Sequence, residues 1–76
     1  MKKEEFLVEL EDILQREEVC NLDDKLSDYE EWDSLSKMAI MAYFEKKFGI
    51  KITLPQLKEI ENVSDLVVLA GDQISD

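Results

Sequence analysis

The stretch from Ser34 to Phe48 is apolar around more than half of a helix circumference. Leu35, Met38, Ala39 and Ala42 form one stripe at helical spacing, and Ile40, Phe44 and Phe48 form a second. Met41 and Tyr43 lie beside them. A helix of that kind either sits at the centre of a bundle or keeps one face buried and one face sticky. Its ends are marked. Asp33 can cap the first free N–H groups. Gly49 stands where a left-handed residue closes a helix without a side-chain penalty. This segment therefore dictates a helical fold in which other elements gather around it.

The rest of the chain supplies those elements. Glu4 to Arg16 predicts a first helix, because Phe6, Leu7, Leu10, Ile13 and Leu14 share one stripe and acids fill the other faces. Ile50 and Ile52 alternate with Lys51 in a short extended link. Thr53 and Gln56 have capping-box spacing, so a short third helix is expected at about Pro55 to Glu61, with Leu57 and Ile60 inward. Pro55 is tolerated in a first turn, where its missing N–H costs nothing. Val63, Leu66, Val67, Ala70 and Ile74 predict a fourth helix after a second Asn62–Asp65 capping pair. Residues 17–33 break the pattern, with Val19, Leu22, Leu26, Tyr29 and Trp32 as candidate anchors of a long loop. The expected fold is all-α: a four-helix bundle with a long loop between helices 1 and 2 and a short third helix. At 76 residues, one domain spanning residues 1–76 is expected.

Charge narrows the partners. The chain carries 19 acids against 9 bases, a net charge of −10. Phosphate backbones need clustered Lys and Arg, so nucleic acid is excluded. An anionic membrane surface is disfavoured for the same reason. The longest apolar run, Met38 to Phe44, is too short to cross a bilayer. The acidity is uneven. Residues 17–33 hold eight acids and one Lys, whereas residues 34–58 are mildly basic. Screening should relieve self-repulsion in the acidic segment. The melting temperature is therefore expected to rise between low and moderate salt, as a calorimetric salt series would show.

Catalytic equipment is sparse. The chain has no His, one Cys and two Gly, and it lacks a phosphate-cradling glycine loop. A lone thiol, Cys20, makes no internal disulfide and fits a reducing cytoplasm. Asp23, Asp24, Asp28, Glu30 and Glu31 lack the glycine and ligand spacing of a calcium loop, so no metal site is expected. The informative run is Glu31-Trp32-Asp33-Ser34-Leu35. Ser34 follows the capping aspartate and opens a helix, which exposes its hydroxyl at a helix N-terminus. A phosphate ester there would sit where free N–H groups and the helix dipole favour negative charge. No adjacent His or Lys can activate the hydroxyl, so Ser34 suits attachment by another enzyme better than catalysis.

Asp33-Ser34-Leu35 resembles the phosphopantetheine attachment motif of acyl carrier proteins. Phe44-Glu45-Lys46-Lys47-Phe48-Gly49-Ile50-Lys51-Ile52 is similar to the stretch that ends their second helix, and Asn62-Val63-Ser64-Asp65-Leu66-Val67 to the opening of their fourth. Together the three cover nearly the whole chain. The resemblance implies an acyl-carrier-like bundle with 4′-phosphopantetheine, derived from coenzyme A, attached covalently to Ser34 and flanked by Asp33 and Leu35. It implies a non-enzymatic, cytoplasmic, monomeric carrier that holds acyl or aminoacyl groups as thioesters. Its partners would be a phosphopantetheinyl transferase, then loading and downstream transferase enzymes of fatty-acid, polyketide, polysaccharide or amino-acid-activating pathways.

Three departures shape that expectation, one being that Lys37 lies one turn from the attachment residue. Glu31-Trp32 precedes Asp33 where many relatives have a glycine-containing run, and an aromatic residue there is similar to stand-alone carriers of specialised pathways. Carriers of fatty-acid synthesis place acids along helix two, but here Ser36, Ala39, Lys46 and Lys47 occupy those positions. A specialised carrier is favoured. The competing reading is a non-enzymatic helical adaptor that binds a basic protein through the acidic loop. It predicts binding that ignores Ser34→Ala and fails at high salt.

Overall fold

The computed structural model describes residues 1–75, and the expected all-α architecture is present. The helices are α1 (Lys3–Leu14), α2 (Ser34–Phe48), α3 (Leu54–Glu59) and α4 (Val63–Ala70). Single 3-10 turns at Leu26–Asp28 and Gly71–Gln73 complete the order.

Each helix begins or ends where local chemistry dictates. Asp33 caps α2 by accepting from the Ser36 N–H at 2.9 Å, and Gly49 closes it at φ 69°. Lys46 and Lys47 place positive charge at the negative end of its dipole. At α3, Thr53 Oγ1 accepts from the Gln56 N–H while Gln56 Oε1 accepts from the Thr53 N–H at 2.8 Å. The helix starts at Leu54, one residue before the sequence estimate, so Pro55 occupies the second position of the first turn. Helix α1 stops at Leu14 rather than Arg16. Gln15 takes the left-handed conformation at φ 56°, and the Arg16 N–H turns back to the Glu11 carbonyl. Helix α4 stops at Ala70, where Gly71 turns to φ 61°. Ile74 is buried as expected, but from an extended residue beyond the second 3-10 turn instead of from α4.

The core forms where α1 and α2 meet and the other elements close over the seam. Phe6, Leu10 and Leu14 of α1 face Ile40 and Phe44 of α2. Edge-to-face packing joins Phe44 to Phe6 at 6.1 Å and to Phe48 at 5.2 Å between ring centroids. Leu57 of α3 and Val63, Leu66, Val67 and Ala70 of α4 complete the interior. The remaining apolar stripe of α2 faces outward. Leu35 is 78% exposed and Met38 64%. Of the two arrangements that the sequence allowed, α2 therefore adopts the one with a buried face and a sticky face, and Met38 belongs to the sticky one.

The long connection is ordered by a few strong ties. Cys20, Leu26 and Tyr29 are buried in the core, whereas Val19 is 68% exposed and anchors nothing. The carbonyls of Asp24 and Leu22 accept from the Val63 and Ser64 N–H groups, so the loop satisfies the first donors of α4. The Leu26 N–H donates to the Glu61 carbonyl at 2.8 Å. The Arg16 guanidinium stacks 3.8 Å over the Tyr29 ring and donates to Glu31 at 2.9 Å. It thereby clasps the end of α1 to the approach of α2.

Tyr29 and Tyr43, the only tyrosines, are held protonated. Burial pushes the Tyr29 phenol well above its ordinary value, aided by its 2.7 Å bond to the Asp24 carboxylate. Burial and the bond to Glu9 do the same for Tyr43. A pKa raised on folding stabilises fully below the unfolded value near 10, and that contribution is lost as pH climbs above it. Tyrosinate absorbance is therefore expected to emerge together with loss of helical circular dichroism in an alkaline titration, not ahead of it.

Candidate functional site

Residues 31–38 form a rigid helix entry with one free hydroxyl on it. Ser36 looks inward and is buried. Its hydroxyl donates to the Glu31 carbonyl and lies 2.8 Å from Asp33 Oδ1. It also accepts from the Asp33 N–H at 3.2 Å. Asp33 and Ser36 thus bond each other reciprocally, which fixes the backbone on both sides of Ser34. The Ser36 N–H, foremost, holds the Asp33 carboxyl below the usual carboxylate range. Its own backbone N–H and the Arg16 guanidinium do the same for Glu31. Both groups are ionised, and both are occupied with structural bonds.

Ser34 differs from Ser36 in every respect. It is the first residue of α2 and is exposed, and its hydroxyl makes no hydrogen bond among the described residues. The start of α2 places backbone N–H groups and the positive end of a helix dipole beside it. Among the described residues no side chain capable of acting as a base bonds it, and the geometry offers a reachable acceptor for a group. Leu35 extends from the next position into solvent.

Two grooves are lined by chain neighbours of this serine. One, of about 450 Å³, runs between α1 and α2 past Ile13, Leu35 and Ala39. The other, also about 450 Å³, lies between the loop, α2 and α3 and is lined by Trp32, Lys37, Leu57 and Ile60. An exposed, unbonded hydroxyl at a helix N-terminus fits a tethered phosphodiester and a flexible arm.

The structure places the three residues singled out in the sequence, Asp33, Ser34 and Leu35, consecutively at one helix start. It adds two that sequence reasoning missed. Ser36 had a signal in its capping-box spacing from Asp33. Arg16 had one in being the sole arginine of the chain. Cys20 is buried at the loop, where burial pushes its thiol up, so it is poorly suited to nucleophilic work.

Comparison with known proteins agrees with this geometry. The family model for the phosphopantetheine attachment site matches residues 4–69, so the chain belongs to that family of phosphopantetheine-binding carriers, whose cofactor is covalently attached 4′-phosphopantetheine. The chain is similar to an acyl carrier protein of Renibacterium salmoninarum, 35% identical over 69 residues that cover 84% of this chain and 85% of that one. No solved structure matches it. Among the described residues, no helix is long and apolar enough to cross a membrane.

Proposed function

We propose that Ser34 is the attachment residue and that residues 1–76 act as one non-enzymatic carrier unit, a cytoplasmic monomer serving a specialised pathway. The observation that carries the reading is the contrast between two serines. Ser36 is buried and fully bonded, whereas Ser34, two residues away, is exposed and unbonded at the same helix start. The attached arm supplies the thiol that holds acyl or aminoacyl groups as thioesters for partner enzymes of fatty-acid, polyketide, polysaccharide or amino-acid-activating pathways.

The protein's own residues then do three things. Asp33 and Ser36 lock the first turn of α2, so the backbone that carries the attachment oxygen is fixed. The helix start favours the phosphodiester charge by about 0.3–1 kcal/mol. Leu35 and Met38 offer an apolar contact to enzymes that must approach the arm, close to the lysines of α2 instead of the acids usual in carriers of fatty-acid synthesis. Tethering raises the effective concentration of the cargo at each enzyme.

The test is mass spectrometry after incubation with coenzyme A and a phosphopantetheinyl transferase. A single arm mapped to the peptide holding Ser34 is expected. No mass gain, or an arm on another residue, would sink the reading. Salt-sensitive binding of a basic protein by the unmodified chain, unchanged by Ser34→Ala, would favour the adaptor instead.

A further inference from the structure

The groove beside Trp32 has a charge at odds with the rest of the molecule. Lys25, Lys37 and Lys58 line it, so three of the nine cationic residues of a −10 chain meet at one cavity. Glu61 is its only acidic lining residue. None of the three lysines forms an ion pair or a side-chain hydrogen bond among the described residues. Lys37 instead lies 5.8 Å from the centroid of the Trp32 ring. Leu57 and Ile60 give the floor an apolar patch. Trp32 stands two residues before Ser34 and Lys37 three after it, so chain segments on both sides of the attachment residue line the groove. Apolar walls with convergent cations suit a short aliphatic chain that ends in an anion.

We infer that this groove is a cargo subsite selective for acyl groups with a distal carboxylate, with Lys37 and Lys58 as the specificity-determining residues and Lys25 in support. The inference rests on Ser34 as the attachment point. The arm's phosphodiester is not the group in question, because it accompanies every cargo equally.

The experiment compares two cargoes of matched chain length, butyryl and succinyl. A transferase loads each from its coenzyme A thioester. The Ser34 Oγ–phosphorus bond forms and the pyrophosphate P–O bond breaks. Adenosine bisphosphate leaves, and the serine proton passes to solvent. Intact mass confirms loading, and the only tryptophan, Trp32, reports on the groove through quenching by neutral acrylamide. The succinyl form is expected to spend about threefold more of its time docked than the butyryl form, the factor that one partly exposed ion pair supplies. Trp32 should be correspondingly shielded, and moderate salt should remove the difference. Lys37→Gln and Lys58→Gln should each reduce the difference, and Lys58→Arg should keep it. Because each comparison is between two cargoes on the same variant, a changed Trp32 environment cancels. Equal quenching of both loaded forms overturns the subsite and leaves the carrier reading standing. Failure to load at Ser34 overturns both.

Discussion

Ser34→Ala is expected to accept no phosphopantetheine while melting within about 0.5 kcal/mol of the parent, as is usual for an exposed substitution. The removed hydroxyl bonds nothing among the described residues, and alanine starts a helix well. Ser36→Ala should behave in the opposite way. It deletes a buried hydroxyl that serves the Glu31 carbonyl and the Asp33 carboxylate, which should cost about 1–3 kcal/mol. The proposed acceptor, Ser34, remains in place, so modification should persist at reduced rate as the first turn loosens. Intact mass and thermal melts on the pair separate the two roles. Modification that survives Ser34→Ala, or is lost in a well-folded Ser36→Ala, would reverse the assignment.

Phe44→Ala is expected to be severely destabilising. Phe44 is wholly buried and packs edge-on against Phe6, Tyr43 and Phe48. Truncating such a ring costs about 3–5 kcal/mol, from lost transfer energy and from the cavity that remains. A chain of 76 residues has on the order of 4–11 kcal/mol in total at typical per-residue values. The substitution therefore removes about a quarter or more of that total, and all of it at the low end of the range. Met38→Ala on the opposite face of the same helix should change stability by no more than about 0.5 kcal/mol. Urea unfolding followed by circular dichroism checks both. A cooperative Phe44→Ala transition close to the parent midpoint would show that α2 is not the centre of the core.

The parts of the fold governed by near neighbours were legible in the sequence. Asp33, Gly49 and the Thr53–Gln56 pair mark helix ends through bonds that reach no more than five residues, and each marks the end found. The parts governed by distant partners were not. Arg16 leaves the helical pattern because it serves Glu31 and Tyr29, which lie beyond the reach of any periodicity. The loop between α1 and α2 takes its shape from bonds to Glu61, Val63 and Ser64, far along the chain. Periodicity also revealed two apolar stripes on α2 but could not say which one a neighbour covers. At the site, the motif around Ser34 was readable because three consecutive residues carry it. The lysine-lined groove was hidden, since it joins residues from the loop, α2 and α3 that meet only in the fold.

The outward stripe of α2 also has a colloidal consequence. Leu35 and Met38 form a spot by which one molecule could adhere to another, and mutual repulsion between strongly negative copies is what keeps them dispersed. That protection scales with ionised carboxylates. As pH falls into the range where acids titrate, the net charge fades while the greasy spot stays unchanged. Solutions should then turn cloudy before the helices melt, and Leu35→Lys should keep them clear.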